Sequence, residues 1–263
     1  ILTIKSPFPE RWKRGIPLAQ AQLIFEGQVE DVSTRAFSIV RPEGDLQFIQ
    51  RSPSFFEEQN WLLPKGAPMR RIPFPDDASF QGVFKGSLLA LLRTDWDVPG
   101  KGKFTQGSVV ALPVASLALS QLELVMAPTQ AQSISGLTFT KSSVYAAYME
   151  NVRGRIAELT RSAKGTWKKL DLPLPDNGDI SVLSADAFDD RFIATYVSFT
   201  QPATLYVLGQ GRSPITIKRS PERFNALGLK VEQLFATSKD GTKVPYFLVM
   251  KSTAARNGKN PTL

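Results

Sequence analysis

The sequence predicts an all-β chain: a partial β-propeller of four-stranded antiparallel blades, about four full blades and a partial one, followed by a C-terminal β-hairpin. Three observations predict it. Short strand-like segments at Leu23–Gly27, Met69–Pro75, Leu122–Pro128, Trp167–Pro175 and Ile215–Pro221 recur at intervals of about 45 to 53 residues, the spacing of propeller blades. The last four run into a proline, which cannot donate to a ladder and therefore suits an outer strand that ends in a crossover. Helical periodicity is scarce, limited to possible short turns at Val114–Gln121 and Pro221–Gly228.

Between those markers, runs of strand pattern alternate with turn residues. Residues 1–27 form the partial blade. The first full blade, about 31–73, takes Arg35–Val40, Leu46–Arg51, Phe55–Leu63 and Met69–Ile72 as strands. The second, about 78–127, takes Phe80–Phe84, Leu88–Arg93, Gly107–Pro113 and Leu122–Met126. The third, about 133–171, takes Ile134–Thr140, Ser143–Glu150, Arg155–Arg161 and Thr166–Leu170. The fourth, about 178–219, takes Ile180–Ala185, Phe192–Phe199, Thr204–Leu208 and Ile215–Arg219. Val144–Met149 and Phe192–Val197 are apolar enough to be covered on both faces. Arg70, Arg71, Lys168 and Lys169 are expected in solvent on outer strands, because adjacent charges cannot both be desolvated cheaply.

The last stretch departs from the repeat. Val231–Val249 is a hairpin pattern, two apolar-rich runs joined across a Lys239-Asp240-Gly241 turn whose glycine can take positive φ. A polar segment, Lys251–Asn260, and then Pro261-Thr-Leu263 follow, so the chain reads as a propeller with the start of something further. Leu234, Phe235, Tyr246, Phe247 and Leu248 are expected to pack poorly within the chain, on the last blade or on another molecule, which makes self-association through the hairpin an expectation.

This hairpin resembles the junction between β-propeller and α/β-hydrolase domain in the prolyl oligopeptidase family of serine peptidases. The likeness is carried by Ser238–Val244, Pro245–Val249 and Asn260–Leu263, and at the other end by Arg11–Leu18 with Leu23–Gly27, which look like outer strands of a mid-propeller blade. The resemblance implies residues 1–228 as propeller portion and 229–263 as the start of a truncated hydrolase domain. It implies a parent enzyme that hydrolyses short, proline-containing peptides, with a propeller that caps the active site and filters substrates by size. The partner it implies is the missing α/β-hydrolase domain of the same parent chain.

Composition narrows the rest. The 263 residues are 42% hydrophobic and 21% charged, ordinary globular material. The apolar stretches are strand-length and too short for a membrane helix. A formal charge of +8 is spread over doublets such as Lys13-Arg14 and Lys218-Arg219 interleaved with acids, so neither nucleic acid nor membrane is expected as a partner. The chain contains neither cysteine nor histidine. Disulfides, thiolate metal sites and a cysteine nucleophile are thereby excluded, as is the usual general base of a Ser-His-Asp triad. Absence of cysteine is neutral about compartment; the periplasm is preferred slightly over the cytoplasm.

No Gly-x-Ser-x-Gly nucleophile motif occurs. No catalytic, cofactor or metal residue is therefore assigned, and the chain alone is expected to be inactive. Asp95 and Asp97 lie in a long inter-strand loop and are too few for a calcium site. Asp186, Asp189 and Asp190 read as turn caps, and Ser162–Trp167 as a propeller turn that lacks the aspartate of an Asp-box. The alternative function is a stand-alone propeller serving as a scaffold for a protein or glycan; a glycosidase with paired carboxylates is weaker, since the acids fall in turns.

Overall fold

The computed structural model describes residues 9–162, 165–209 and 213–262. It falls into two compact units, one formed by the chain up to Pro128 together with Arg161–Lys168, the other by Thr129–Thr160 and the chain from Lys169 onward. The described residues form strands, turns and two short 3-10 segments, with no α-helix and no helix long and apolar enough to cross a membrane.

The first unit starts with a two-stranded ribbon, β1 (Glu10–Arg11) against β2 (Gln22–Leu23). The expected partial blade is seen only in this ribbon, and residues 1–8 lie outside the described residues. A blade follows, with β3 (Ser33–Ile39), β4 (Leu46–Ser52), β5 (Gln59–Leu63) and β6 (Arg70–Arg71) hydrogen-bonded in that order. The next blade contains β7 (Ser79–Phe84) and β8 (Ser87–Leu91), then a separate hairpin of β9 (Trp96–Val98) and β10 (Gly102–Phe104), then β11 (Val109–Pro113) and β12 (Glu123–Met126). Its sheet order is β7-β8-β11-β12. β8 is buried at all five positions, the continuous apolar pattern of a strand covered on both faces. Phe48, Leu62, Ile72, Leu88, Val110 and Leu112 form one core, in which Phe48 stacks on Phe37 with ring centroids 5.3 Å apart.

Two more four-stranded sheets complete the repeat. The third is β13 (Gln132–Phe139), β14 (Val144–Glu150), β15 (Arg153–Arg161) and β16 (Trp167–Asp171); the fourth is β17 (Gly178–Ala185), β18 (Phe192–Ser198), β19 (Thr204–Leu208) and β20 (Ile215–Arg219), each in sequence order. Inside the second unit Tyr145, Ile156, Phe192 and Tyr196 share a core. Tyr145 meets Phe192 at 4.5 Å between ring centroids. Tyr196 buries its ring while its hydroxyl donates to the Asp176 carbonyl at 2.6 Å, which meets the need of a buried phenol for a partner. β21 (Leu229–Thr237) and β22 (Lys243–Lys251) then pair over nine positions, with Gly241 at φ 86 in the turn. The chain is thus a partial β-propeller of four-stranded antiparallel blades with a C-terminal hairpin.

Several expectations need correction. Strand β5 begins at Gln59, not Phe55, because Ser52-Pro-Ser54 ends β4 and the next four residues turn. The loop at 95–103 contains the β9–β10 hairpin. The short turn expected within 114–121 is the 3-10 turn Leu119–Gln121, and the one within 221–228 is confined to its end, where Leu229 N donates to the Ala226 carbonyl at 3.0 Å. Arg70 and Arg71 lie on an outer strand yet are half-buried. Arg70 donates to the carbonyls of Val114 and Ala115, both at 2.9 Å, while Arg71 pairs with Asp76 and lies over the Trp61 ring. Paired in this way, the charges are only partly desolvated. Lys168 and Lys169 are exposed. Val144–Ala146 are fully buried, whereas Met149 and Val197, at the ends of their strands, are 39% exposed.

Candidate functional site

The turn joining β4 to β5, residues 53–58, carries the most unusual surface of the first unit. Pro53 has no N–H to continue the ladder, and the Ser54 hydroxyl accepts from Phe56 N and donates to Glu57, closing a tight side-chain turn. Phe55 and Phe56 consequently point outward, 87% and 88% exposed. Beside them opens a groove of about 420 Å³, lined also by Glu57, Glu58, Asp77 and Arg93.

Polar contacts hold the base of this turn. At the end of β4 the Arg51 Nε–H reaches both Asp31 carboxylate oxygens, at 2.9 and 2.8 Å, and a terminal nitrogen donates to Gln59 at 3.3 Å. The hydrogen bond from Arg51 holds the Asp31 carboxyl below the usual range against the opposing effect of burial, and Asp31 in turn raises Arg51. Glu58 accepts from the Phe80 backbone N–H at 2.5 Å and from the Gln50 amide at 2.9 Å. That amide also reaches Asn60 at 3.1 Å. Thr94 donates to Asp77 at 2.7 Å. With these carboxylates already accepting hydrogen bonds, the groove offers two aromatic faces and the exposed Arg93. Such a surface suits binding of an extended chain more than proton transfer.

A second groove, of about 340 Å³, lies in the second unit between the fourth blade and the hairpin. Phe199 meets Phe247 of β22 at 5.4 Å between centroids, and the Asn177 amide donates to the Val231 carbonyl at 3.3 Å. Gln233 donates to the Asn151 carbonyl. The hairpin therefore packs partly on the last two blades. Phe235, Val244, Tyr246 and Val249 remain 40–48% exposed.

The acidic residues singled out from sequence have structural partners. Asp95 pairs with Lys103 at 2.7 Å and accepts from Gln106 N, closing the β9–β10 hairpin; Asp97 lies on β9. Asp186 and Asp189 accept from Phe188 N and Arg191 N in their own turn. Asp190 instead accepts from Ser142 N at 2.6 Å and so ties the fourth blade to the third. Among the described residues no group of three or more His, Cys, Asp or Glu is placed to hold a metal. Of the Ser162–Trp167 turn, Ala163 and Lys164 lie outside the described residues, and Thr166 N donates to the Ser162 hydroxyl. Sequence reasoning missed the Phe55-Phe56 turn. The available signal was Ser-Pro-Ser followed by Phe-Phe-Glu-Glu, which breaks the period of two that a strand requires.

Comparison with known proteins places this architecture. Residues 92–212 match the family described as prolyl oligopeptidase, N-terminal β-propeller domain. Over that stretch the chain is similar to the propeller portion of the prolyl oligopeptidase family. An uncharacterized peptidase of Sinorhizobium fredii is 34% identical over 95% of this chain, and one of Rickettsia prowazekii is 29% identical over 96%. The structure of a post-proline cleaving enzyme from Rickettsia typhi aligns with a TM-score of 0.77 and 29% identity over 95% of this chain and 38% of its own. The chain spans about 36% of the length of the two curated relatives. Its relatives are peptidases, and what they share with it is the propeller part.

Proposed function

We propose that this chain is the non-catalytic propeller of a serine-type oligopeptidase, which caps the active site and admits short, proline-containing peptides by size. The observation that carries the reading is the alignment over 95% of the chain with the Rickettsia typhi post-proline cleaving enzyme. Residues 229–262 are assigned to the opening strands of an α/β-hydrolase domain, which would supply nucleophile, base and acid from a part of the polypeptide not present in this sequence. The chain contributes no histidine and no Gly-x-Ser-x-Gly motif, so the chemistry has to come from that domain. A propeller suits a filter because its blades bury their faces against each other and present a rigid surface of turns.

The test is a comparison of the purified chain with the polypeptide of its complete reading frame, on a chromogenic Gly-Pro amide. The chain alone is expected to give no turnover above buffer, and the complete polypeptide to give turnover that a serine-reactive phosphonate abolishes. Phosphonate-sensitive turnover by the chain alone would overturn the assignment. A reading frame that ends with this chain would favour the scaffold alternative.

A further inference from the structure

The groove beside the β4–β5 turn surrounds two solvent-facing aromatic rings with charge that the first unit does not neutralise. Phe55 and Phe56 are held outward by the Ser54 hydroxyl, and Glu57, Glu58, Asp77 and Arg93 line the same groove. Its carboxylates accept hydrogen bonds from neutral donors only. Glu57 accepts from the Ser54 hydroxyl and Asp77 from the Thr94 hydroxyl, while Glu58 accepts from Phe80 N and from the Gln50 and Asn60 amides. Neighbouring acids differ: Asp31, Asp76 and Asp95 each have a cation beside them. Among the described residues no such partner is placed on Glu57, Glu58 or Asp77, and Arg93 is exposed without a carboxylate of its own. One guanidinium against three carboxylates gives the groove a formal charge of −2 (1 − 3), in a chain that carries +8.

Two of those carboxylates keep capacity for a further partner. A carboxylate can accept about four hydrogen bonds, and Glu57 and Asp77 each engage a single oxygen. The other oxygen of each has no partner among the described residues. Glu58, with three neutral donors on it, contributes charge rather than a contact. The rings add to the same preference, because the face of a phenyl ring attracts a cation.

We propose that this groove binds the arginine side chain of an extended peptide, with the guanidinium on Glu57 and Asp77 and its plane against the Phe55 and Phe56 rings. Charge excludes the alternatives. An anionic group is repelled by the net −2, and a purely apolar segment would cover the rings while desolvating uncompensated carboxylates. A metal ion lacks a set of three His, Cys, Asp or Glu ligands placed to hold it among the described residues. Of the two basic side chains, arginine uses both features of the groove: its guanidinium is more weakly hydrated than an ammonium, stacks on aromatic faces and offers carboxylates a fork of donors. The volume of about 420 Å³ lies in the range of small-ligand pockets, and Arg93 has donors for the carbonyl oxygens of the peptide backbone. The proposal rests on the peptidase reading only in taking the ligand to be a peptide.

The test is calorimetric titration of the full chain, at low ionic strength, with a peptide of one charge, acetyl-Gly-Arg-Pro-Gly amide. Citrulline in place of the arginine keeps the shape and removes the charge. It is expected to weaken binding at least about tenfold, the scale of a hydrogen bond to a charged group, and lysine at that position should bind between the two. Glu57→Gln combined with Asp77→Asn, both isosteric, should weaken the arginine peptide by a similar factor, with the circular dichroism spectrum and the unfolding midpoint unchanged. Phe55→Ala combined with Phe56→Ala should also weaken it, and added salt should weaken binding to the unmodified chain. Absence of binding at millimolar arginine peptide, a citrulline or lysine peptide bound as tightly as the arginine peptide, or unchanged affinity in the Glu57→Gln, Asp77→Asn variant would overturn the proposal. Binding is read without hydrolysis, so an inactive complete polypeptide would count against the peptidase reading and leave this result standing.

Discussion

At the scale of single residues, strain and ion pairing make the clearest predictions. Asn151 and Val152 form the two-residue turn between β14 and β15, with φ 47 and 60. Positive φ is tolerated by asparagine but strained for a β-branched residue. Val152→Gly removes about 1–2 kcal/mol of left-handed strain and adds about 0.5–1 kcal/mol of backbone entropy. A net stabilisation of about 0.5–1 kcal/mol is therefore expected in urea unfolding, and a lowered midpoint would refute it. Asp31→Asn breaks the Arg51 pair, whose Asp31 side chain is only 2% accessible, and should lose about 1–3 kcal/mol at neutral pH. Because the folded carboxyl titrates below its ordinary value, its contribution is present above the unfolded pKa near 4 and is lost as pH falls through the folded value. The stability gap between wild type and variant should therefore close in acid, as read by denaturation midpoints at stepped pH. Neither site was legible beforehand. Asp31 and Arg51 are unremarkable charges twenty positions apart, joined only by the β3–β4 register, and the sign of φ at Val152 is not encoded by valine.

At the scale of elements, sequence reading succeeded where chemistry repeats and failed where pairing is local. Outer strands ending in proline marked the blades. Inner strands such as Val109–Leu112 were visible as continuous apolar runs. The β9–β10 hairpin was not visible, because each strand is three residues long and Gly100 and Gly102 sit at its turn; its hydrophobic signal is spread over Trp96, Val98 and Phe104, which pack into the first unit's core. Contact between blades has its own requirement. A Cβ on Gly154 of β15 would lie 2.7 Å from the Ile180 backbone nitrogen of β17 and 3.2 Å from the Gly178 carbonyl. No side-chain rotation can relieve a clash with backbone. Gly154→Ala should force the third and fourth blades apart locally and lower stability by about 1–3 kcal/mol; an unchanged unfolding midpoint would show that the sheets give way freely.

At the scale of the whole molecule, the fold was readable and the activity was not. Propeller architecture follows from periodicity, but function resides in sites rather than folds, and the chain has neither histidine nor a nucleophile motif. The exposed aromatic surface of Phe55 and Phe56 beside Arg93 and their groove reads from sequence as a strand start, although Ser-Pro-Ser before Phe-Phe-Glu-Glu breaks the period of two. The central claim is that the propeller acts as a size filter for an attached peptidase. Its most direct test is kcat/KM of the polypeptide from the complete reading frame, measured on proline-containing substrates from a dipeptide amide up to an unfolded protein. The account predicts efficient cleavage of short peptides and a fall of at least about tenfold, roughly 1.4 kcal/mol in activation free energy, for substrates too large for the proposed filter to admit. Equal kcat/KM for short peptides and for an unfolded protein chain would contradict it.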